Sequence, residues 1–94
     1  MGLTHFGFYL CVMRNLHTDA YRIFLKNLYK ARENSRLTQT DVAKQMGKPQ
    51  SFVSKCEQGE RTVDAIDLLK FSEIYGVSLD FFFENIIFDN NEPI

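Results

Sequence analysis

The segment Leu37–Gly59 constrains the fold of this 94-residue chain more than any other part of it. Two glycines in it, Gly47 and Gly59, each follow a short run in which apolar residues recur at helical spacing. Glycine at such a position tolerates the left-handed backbone that commonly ends a helix. Pro49 lies between the runs, where a turn or a helix start accepts proline. The segment therefore predicts two short helices joined by a tight turn, at residues 39–46 and 50–58.

The two predicted helices differ in the side chains that they present. Thr38 is a favourable N-cap for the first helix. In the second helix, Val53 and Cys56 lie three residues apart and are expected to point inward. The outward side chains are polar or basic, namely Gln50, Ser51, Ser54 and Lys55. A helix with short polar and basic side chains on one exposed face fits the major groove of DNA.

Three further helices are predicted around this pair. Asp19 is a suitable N-cap for a helix at 19–35, and Asp64 for one at 65–75. The apolar side of the helix at 65–75 is expected to consist of Ala65, Leu68, Leu69, Phe71 and Tyr75. Ser78 caps a short fifth helix. Since no segment demands a β-sheet, the pattern predicts an all-α fold of five helices with short connections.

Charge is unevenly distributed along the chain, although the formal net charge is only −1. Residues 1–61 carry ten Lys and Arg against five Asp and Glu, whereas residues 62–94 carry Lys70 against seven acids. Such asymmetry points to a face that binds a polyanion. The alternative is chance scatter of charge over a small protein.

The chain shows no pattern typical of an enzyme. Cys11 and Cys56 lack disulfide-framework spacing, and Cys56 falls in a helical apolar register that predicts a buried thiol. His5 and His17 lie in the poorly patterned N-terminal region. No His/Cys cluster has zinc-ligand spacing, and no Gly-rich phosphate loop occurs. We therefore expect no catalytic residue, no metal and no cofactor.

The two ends of the chain are expected to lie outside the helical domain. The apolar run at residues 6–13 is too short for a membrane span, and the N-terminus lacks signal-peptide features. We expect a cytoplasmic protein with no membrane partner. Residues 1–18 are predicted to form an N-terminal arm, which either precedes a natural start at Met13 or packs against a second subunit. Residues 84–94 are predicted to form a C-terminal tail and a dimer contact.

Several short motifs occur together in the chain: Leu37-Thr38-Gln39, Val42-Ala43, Gly47, Gln50-Ser51, Val53-Ser54, Glu57 and Gly59. The stretch Tyr75-Gly76-Val77-Ser78-Leu79-Asp80 follows later. Together these motifs resemble the Cro/phage-repressor helix-turn-helix family, also called the XRE family. The resemblance covers residues 20–83. It implies a compact five-helix DNA-binding domain at residues 19–83, with the helix-turn-helix at helices 2 and 3, acting as a dimer in transcriptional regulation.

The resemblance and the outward face of the third helix assign expected roles to individual residues. By position in the family, Gln39 matches a phosphate contact, and Arg32 and Glu57 match an ion pair that ties the first helix to the third. The expected base contacts are Gln50, Ser51, Phe52, Ser54 and Lys55. The expected phosphate contacts are Gln39, Lys44, Lys48, Arg61 and Arg36. Backbone amides at the start of the second helix are expected to assist, because a helix N-terminus favours anions.

Each base contact has a chemical reason. Gln50 can pair with adenine N6 and N7, and Lys55 can donate to guanine O6 or N7. Phe52, expected to be partly exposed, could press on a thymine methyl group. The alternative for Gln50 and Lys55 is a merely solvated helix face.

These observations lead to one functional hypothesis and one rival. The hypothesis is a sequence-specific DNA-binding transcriptional regulator, a repressor that acts as a homodimer on a near-palindromic operator in double-stranded DNA. The rival is a protein-interaction module or an antitoxin whose main partner is another protein. Its docking surface would be the acidic C-terminal half with Phe81, Phe82, Phe83, Ile86, Ile87 and Phe88.

Overall fold

The computed structural model describes residues 18–88, and within them the chain forms four α-helices and one 3-10 helix, with no strand. In chain order these are α1 (Asp19–Ser35), α2 (Gln39–Met46), α3 (Gln50–Gln58), α4 (Ala65–Tyr75) and the 3-10 helix η1 (Leu79–Phe83). The all-α prediction is confirmed. The predictions for residues 1–17, including Cys11, His5 and His17, and for residues 89–94 lie outside the described residues.

Side-chain caps fix where three of the helices begin. Thr38 Oγ1 accepts a hydrogen bond from the Asp41 backbone N–H, and Asp41 Oδ2 accepts one from the Thr38 backbone N–H, both at 3.0 Å. This is a complete capping box at the start of α2. Asp64 Oδ1 accepts from the Asp67 backbone N–H at 2.7 Å and caps α4. These two caps are the ones that the sequence predicts.

The cap of α1 differs from the prediction by one residue. Thr18, not Asp19, is the N-cap, and its Oγ1 accepts from the Tyr21 backbone N–H at 3.1 Å. Asp19 is the first helical residue, where a carboxylate interacts favourably with the helix dipole. Both residue types are good caps, so the local sequence alone does not distinguish between them.

Left-handed residues end the four α-helices, and one of them lies where two helices approach closely. Gly59 ends α3 with φ +80°, and a Cβ atom added there would lie 3.0 Å from Leu25 Cδ1 on α1. Glycine therefore suits this position twice, because it adopts the left-handed turn without strain and leaves room for the Leu25 side chain on α1. Arg36 ends α1 with φ +62°, although a Cβ atom makes this conformation unfavourable.

The core lies where the five elements meet, and each of them contributes buried residues to it. α1 contacts α3, α4 and η1, while α2 packs on α3 and α4. The buried apolar side chains are Phe24, Leu28, Ala31, Val42, Ala43, Met46, Phe52, Val53, Cys56, Phe71, Tyr75 and Phe82. The expected apolar side of α4 is wrong in part, because Ala65 is exposed and Leu69 keeps 44% of its surface exposed. Ile66, three residues before Leu69, is also exposed, so α4 exposes some apolar side chains while it buries others.

Polar groups tie the C-terminal elements to α1. The buried Asn27 amide donates to the backbone carbonyls of Phe82 and Glu84, both at 2.9 Å. The Val63 backbone N–H donates to the Tyr21 hydroxyl at 3.2 Å, which fixes the connection between α3 and α4. None of the helices in residues 18–88 has the length and apolar character needed to cross a membrane.

Candidate nucleic-acid interface

The turn between α2 and α3 is held by backbone hydrogen bonds. The Lys48 N–H donates to the Ala43 carbonyl at 2.9 Å, and the Phe52 N–H donates to the Pro49 carbonyl at 3.0 Å. Pro49 is the N-cap of α3 and gives it no side-chain cap. Because the connection is short and both helices bury apolar residues against the same core, α3 is fixed rigidly on α2.

The outward face of α3 is a continuous polar strip. Successive residues of an α-helix are rotated by about 100°, which brings residues four apart onto one side. The strip consists of Gln50, Ser51, Ser54, Lys55 and Gln58, all exposed except the half-buried Ser54. Gln58 was absent from the expected base contacts, yet its amide donates to Ser54 Oγ at 3.0 Å. Gln58 lies four residues after Ser54, and this helical spacing alone places it on the same side of α3 as the expected base contacts.

A chain of hydrogen bonds links α1 to the first residue of α3. The structure brings Arg32 and Glu57 together: Nε donates to Oε2 at 2.6 Å and Nη2 to Oε1 at 3.1 Å. Arg32 Nη1 also donates to the Leu37 carbonyl at 3.0 Å. Gln39 Nε2 donates to Glu57 Oε1 at 2.9 Å, and Gln50 Nε2 donates to Gln39 Oε1 at 2.6 Å. We call these four side chains the Arg32–Gln50 relay.

The relay fixes the orientation of both amides. The guanidinium only donates and the carboxylate only accepts, so Gln39 must turn its NH2 group towards Glu57. The carbonyl oxygen of Gln39 then faces α3 and accepts a hydrogen bond from Gln50. Since the NH2 group is the only donor of the Gln50 side chain, this hydrogen bond also sets the orientation of the Gln50 amide. The side chain of Glu57 is 6% exposed and that of Arg32 14%, so bulk water competes little for the hydrogen bonds between these two, whereas the hydrogen bond from Gln50 to Gln39 is exposed to solvent. The hydrogen bond to Glu57 raises the pKa of the Arg32 guanidinium, which stays charged.

Phe52 is not where the sequence places it. Its ring is buried, with only 7% of the residue exposed, so the expectation of partial exposure is wrong. Lys48 Nζ lies 5.2 Å from the ring centroid and Arg61 Cζ lies 4.8 Å from it. Phe52 and Cys56 are four residues apart on the core side of α3, which turns the ring away from the polar strip.

The other expected phosphate contacts occupy different environments. Lys44, Lys48, Arg61 and Arg36 are exposed, and Lys48 and Arg61 meet at the Phe52 ring. Gln39 is half-buried and both ends of its amide are engaged in the relay.

The start of α2 is less attractive to an anion than the sequence suggests. The capping box occupies the Asp41 amide and adds a carboxylate there. The hydrogen bond from the Thr38 backbone lowers the pKa of Asp41, so this carboxylate is ionised at neutral pH. Its negative charge opposes the attraction of the helix dipole for phosphate.

The Cys56 thiol belongs to the core. The residue has no exposed surface, and burial raises the pKa of its thiol to about 11. The expectation of a buried thiol is therefore confirmed.

The comparisons with known proteins identify the family. A family model described as Helix-turn-helix matches residues 28–82, more than half of the chain, from the middle of α1 to η1. No curated protein and no solved structure matches the chain. The matched region contains the two short helices, their turn and the relay. The chain belongs to the Cro/phage-repressor-like (XRE) helix-turn-helix family, which is a family of DNA-binding regulatory domains.

Proposed function

We propose that this protein is a sequence-specific transcriptional repressor that binds a near-palindromic operator as a homodimer. In this proposal α3 lies in the major groove and its polar strip contacts base edges. The observation that carries the proposal is the Arg32–Gln50 relay, because its last hydrogen bond favours one orientation of the Gln50 amide, the proposed base-reading group, before DNA binds.

Gln50 is proposed to read adenine. Its amide uses one N–H on Gln39, which leaves its carbonyl oxygen and its second N–H for a base. Adenine offers the N6 donor and the N7 acceptor in the major groove, which match these two groups. Since the relay already orders the side chain, binding loses less conformational freedom than it would with a free glutamine.

The rest of the strip extends this contact. Lys55 is exposed one turn beyond Ser51 and is proposed to donate to guanine O6 or N7. Ser51 and Ser54 are short enough to contact a base or a nearby phosphate. The burial of Phe52 argues against a contact between its ring and a thymine methyl group. Phosphate contacts are proposed for Lys44, Lys48, Arg61 and Arg36.

Exposed apolar side chains support the homodimer. These side chains lie outside the proposed DNA interface. On α4, Ile66 is 62% exposed and Leu69 is 44% exposed; on η1, Leu79 is 43% exposed and Phe83 is 48% exposed. In the proposed C-terminal contact, Ile87 is 83% exposed. A dimer would cover such side chains and present two α3 helices to half-sites about 34–36 Å apart. The same surface also supports the rival reading, in which a different protein is the main partner.

Binding to random-sequence duplex over a range of salt concentrations tests the DNA-binding step. We expect affinity that falls steeply as salt rises, because phosphate contacts release counterions. Lys48→Ala should weaken binding, whereas Lys70→Ala, in the acidic half, is the matched control and should leave it unchanged. A protein with no affinity for duplex at low salt would favour the protein-interaction module.

Selection of bound duplexes from a random pool tests sequence specificity. Gln50→Ala and Lys55→Ala should each relax the preference at particular base pairs, by about 1–3 kcal/mol per lost bidentate pair. Lys48→Ala should instead weaken binding to all selected sequences alike. Unchanged preferences in both strip variants would contradict the assignment of α3 as the reading helix.

A further inference from the structure

Two exposed cations from opposite ends of α3 meet at one aromatic ring. Lys48 precedes the helix and Arg61 follows it, yet both charged groups lie within 5.2 Å of the centroid of Phe52. This distance is within the range of a cation–π interaction. The ring itself belongs to the core, and Phe52 is only 7% exposed.

The backbone brings both cations to this place. The Lys48 N–H donates to the Ala43 carbonyl at the end of α2, at 2.9 Å. The Arg61 N–H donates to the Lys55 carbonyl at the end of α3, at 3.2 Å. Phe52 lies in the first turn of α3, so the ring is fixed by the helix while the two side chains reach it from anchored positions.

The arrangement leaves positive charge without a counterion. The salt bridges within residues 18–88 join Arg22 to Asp19 and Arg32 to Glu57, and neither includes Lys48 or Arg61. The ring quadrupole attracts each cation without neutralising it. An anion that contacts both side chains would supply the missing counter-charge.

We propose that Phe52 is a positioning residue that gathers Lys48 and Arg61 into a single binding site for a DNA phosphodiester. The inference rests on the proposed function and goes beyond it, because it turns two separate phosphate contacts into one preorganised site. The ring holds the two cations beside the recognition helix and does not itself touch DNA. The order that it imposes reduces the entropy lost when a phosphate binds.

The test uses one variant that weakens the ring electrostatics and keeps an aromatic ring in the core, and a second that removes the ring. Phe52→trifluorophenylalanine keeps the shape and apolar character of the ring but withdraws π-electron density from its face. Phe52→Leu removes the ring and keeps an apolar side chain. Affinity for random-sequence duplex should fall about three-fold in the first variant and about five-fold in the second, at fixed salt. The urea unfolding midpoint of the fluorinated protein should remain that of the wild type.

A double-mutant cycle separates positioning from general destabilisation. In a background that carries Lys48→Ala and Arg61→Ala, the fluorinated ring should no longer change affinity, because no cation is left to position. If the wild type binds duplex and the fluorinated protein binds equally well, or if its loss persists in that background, the inference is wrong and the proposed function stands. If the wild type does not bind duplex at low salt, both fall.

Discussion

Arg36 is a single side chain whose backbone conformation opposes its identity. It ends α1 with φ +62°, a conformation that glycine adopts at the ends of α2, α3 and α4. Arg36→Gly should therefore raise the free energy of unfolding by about 0.5–1 kcal/mol, since relief of the left-handed strain exceeds the added entropy of the unfolded chain. Urea unfolding measures the difference.

Arg36→Ala is the matched control, because it removes the same charge and keeps a Cβ atom at the left-handed position. We expect no stabilisation from alanine. A gain of equal size in both variants would assign the effect to charge, not to backbone strain. If Arg36 contacts phosphate, DNA affinity should fall to the same extent in the two variants.

Individual side chains also show what a helical pattern can and cannot predict. Val53 and Cys56 are buried as predicted, because their spacing places both on the core side of α3. Phe52 also belongs to the buried core, and Lys48 and Arg61 lie against its ring. Neither of these two cations belongs to α3, so no periodicity within the helix reveals that they lie there.

Glu57 lies on α3 and connects this helix to two others, because its carboxylate accepts hydrogen bonds from Arg32 on α1 and from Gln39 on α2. Glu57→Ala would leave the Arg32 guanidinium poorly accessible to water and without its partner. Loss of one partner of a buried ion pair costs about 3–5 kcal/mol, and partial solvation of Arg32 places our expectation at about 3 kcal/mol. Thermal or urea unfolding measures this loss.

Gln39→Ala is a useful comparison for Glu57→Ala. It removes the middle of the relay but leaves the ion pair between α1 and α3 intact. We therefore expect a much smaller loss of stability, together with a weaker preference for adenine in selected duplexes, because Gln50 loses the acceptor that orients it. Equal destabilisation by the two variants would show that the ion pair has no special structural role.

Among the helices, boundaries were more predictable than packing. Thr38, Asp64 and the glycines that follow α2, α3 and α4 are local signals, and each marks a helix end in the structure. The exposed face of α4 was not predictable, because Leu69 and Phe71 both fit an apolar register and only the position of neighbouring helices decides which is buried. The relay was predicted only in part, as an ion pair, since the link through Gln39 depends on how three helices meet.

The molecule as a whole combines a basic recognition half with an acidic half that carries exposed apolar side chains. The sequence revealed the charge asymmetry directly, and the structure adds that most of the exposed large apolar residues lie on α4, η1 and the segment after it, while Tyr29 on α1 is 45% exposed. This distribution would let DNA binding and the proposed protein contacts use different surfaces. Substitutions of the exposed apolar residues on α4 and η1 can therefore test the homodimer and the rival protein partner without changing the polar strip of α3.

Global stability should fall at alkaline pH, because burial raises the pKa of groups that ionise more easily in the unfolded chain. The ordinary pKa is 9.0 for Cys56, and burial raises it to about 11. Burial also raises the pKa of Tyr75 above its ordinary value of 10.0. A raised folded-state pKa contributes stability that is complete below the unfolded value and is lost as pH rises towards the folded value. The free energy of unfolding should therefore be level near neutral pH and decline from pH 9.0 upward.

Two variants identify the groups responsible for this decline. The Tyr75 hydroxyl is buried and forms no hydrogen bond within residues 18–88, so Tyr75→Phe should stabilise the protein by about 1 kcal/mol at neutral pH. It should also reduce the alkaline loss, because no phenol remains to ionise. Cys56→Ala should lower stability at neutral pH through the cavity that it leaves, yet make the decline above pH 9.0 shallower. Urea unfolding midpoints measured across this pH range test both assignments. If stability declines equally steeply in both variants and in the wild type, neither buried group controls the alkaline loss. A flatter dependence of stability on pH in each variant would link alkaline unfolding to the core beneath α3 and α4.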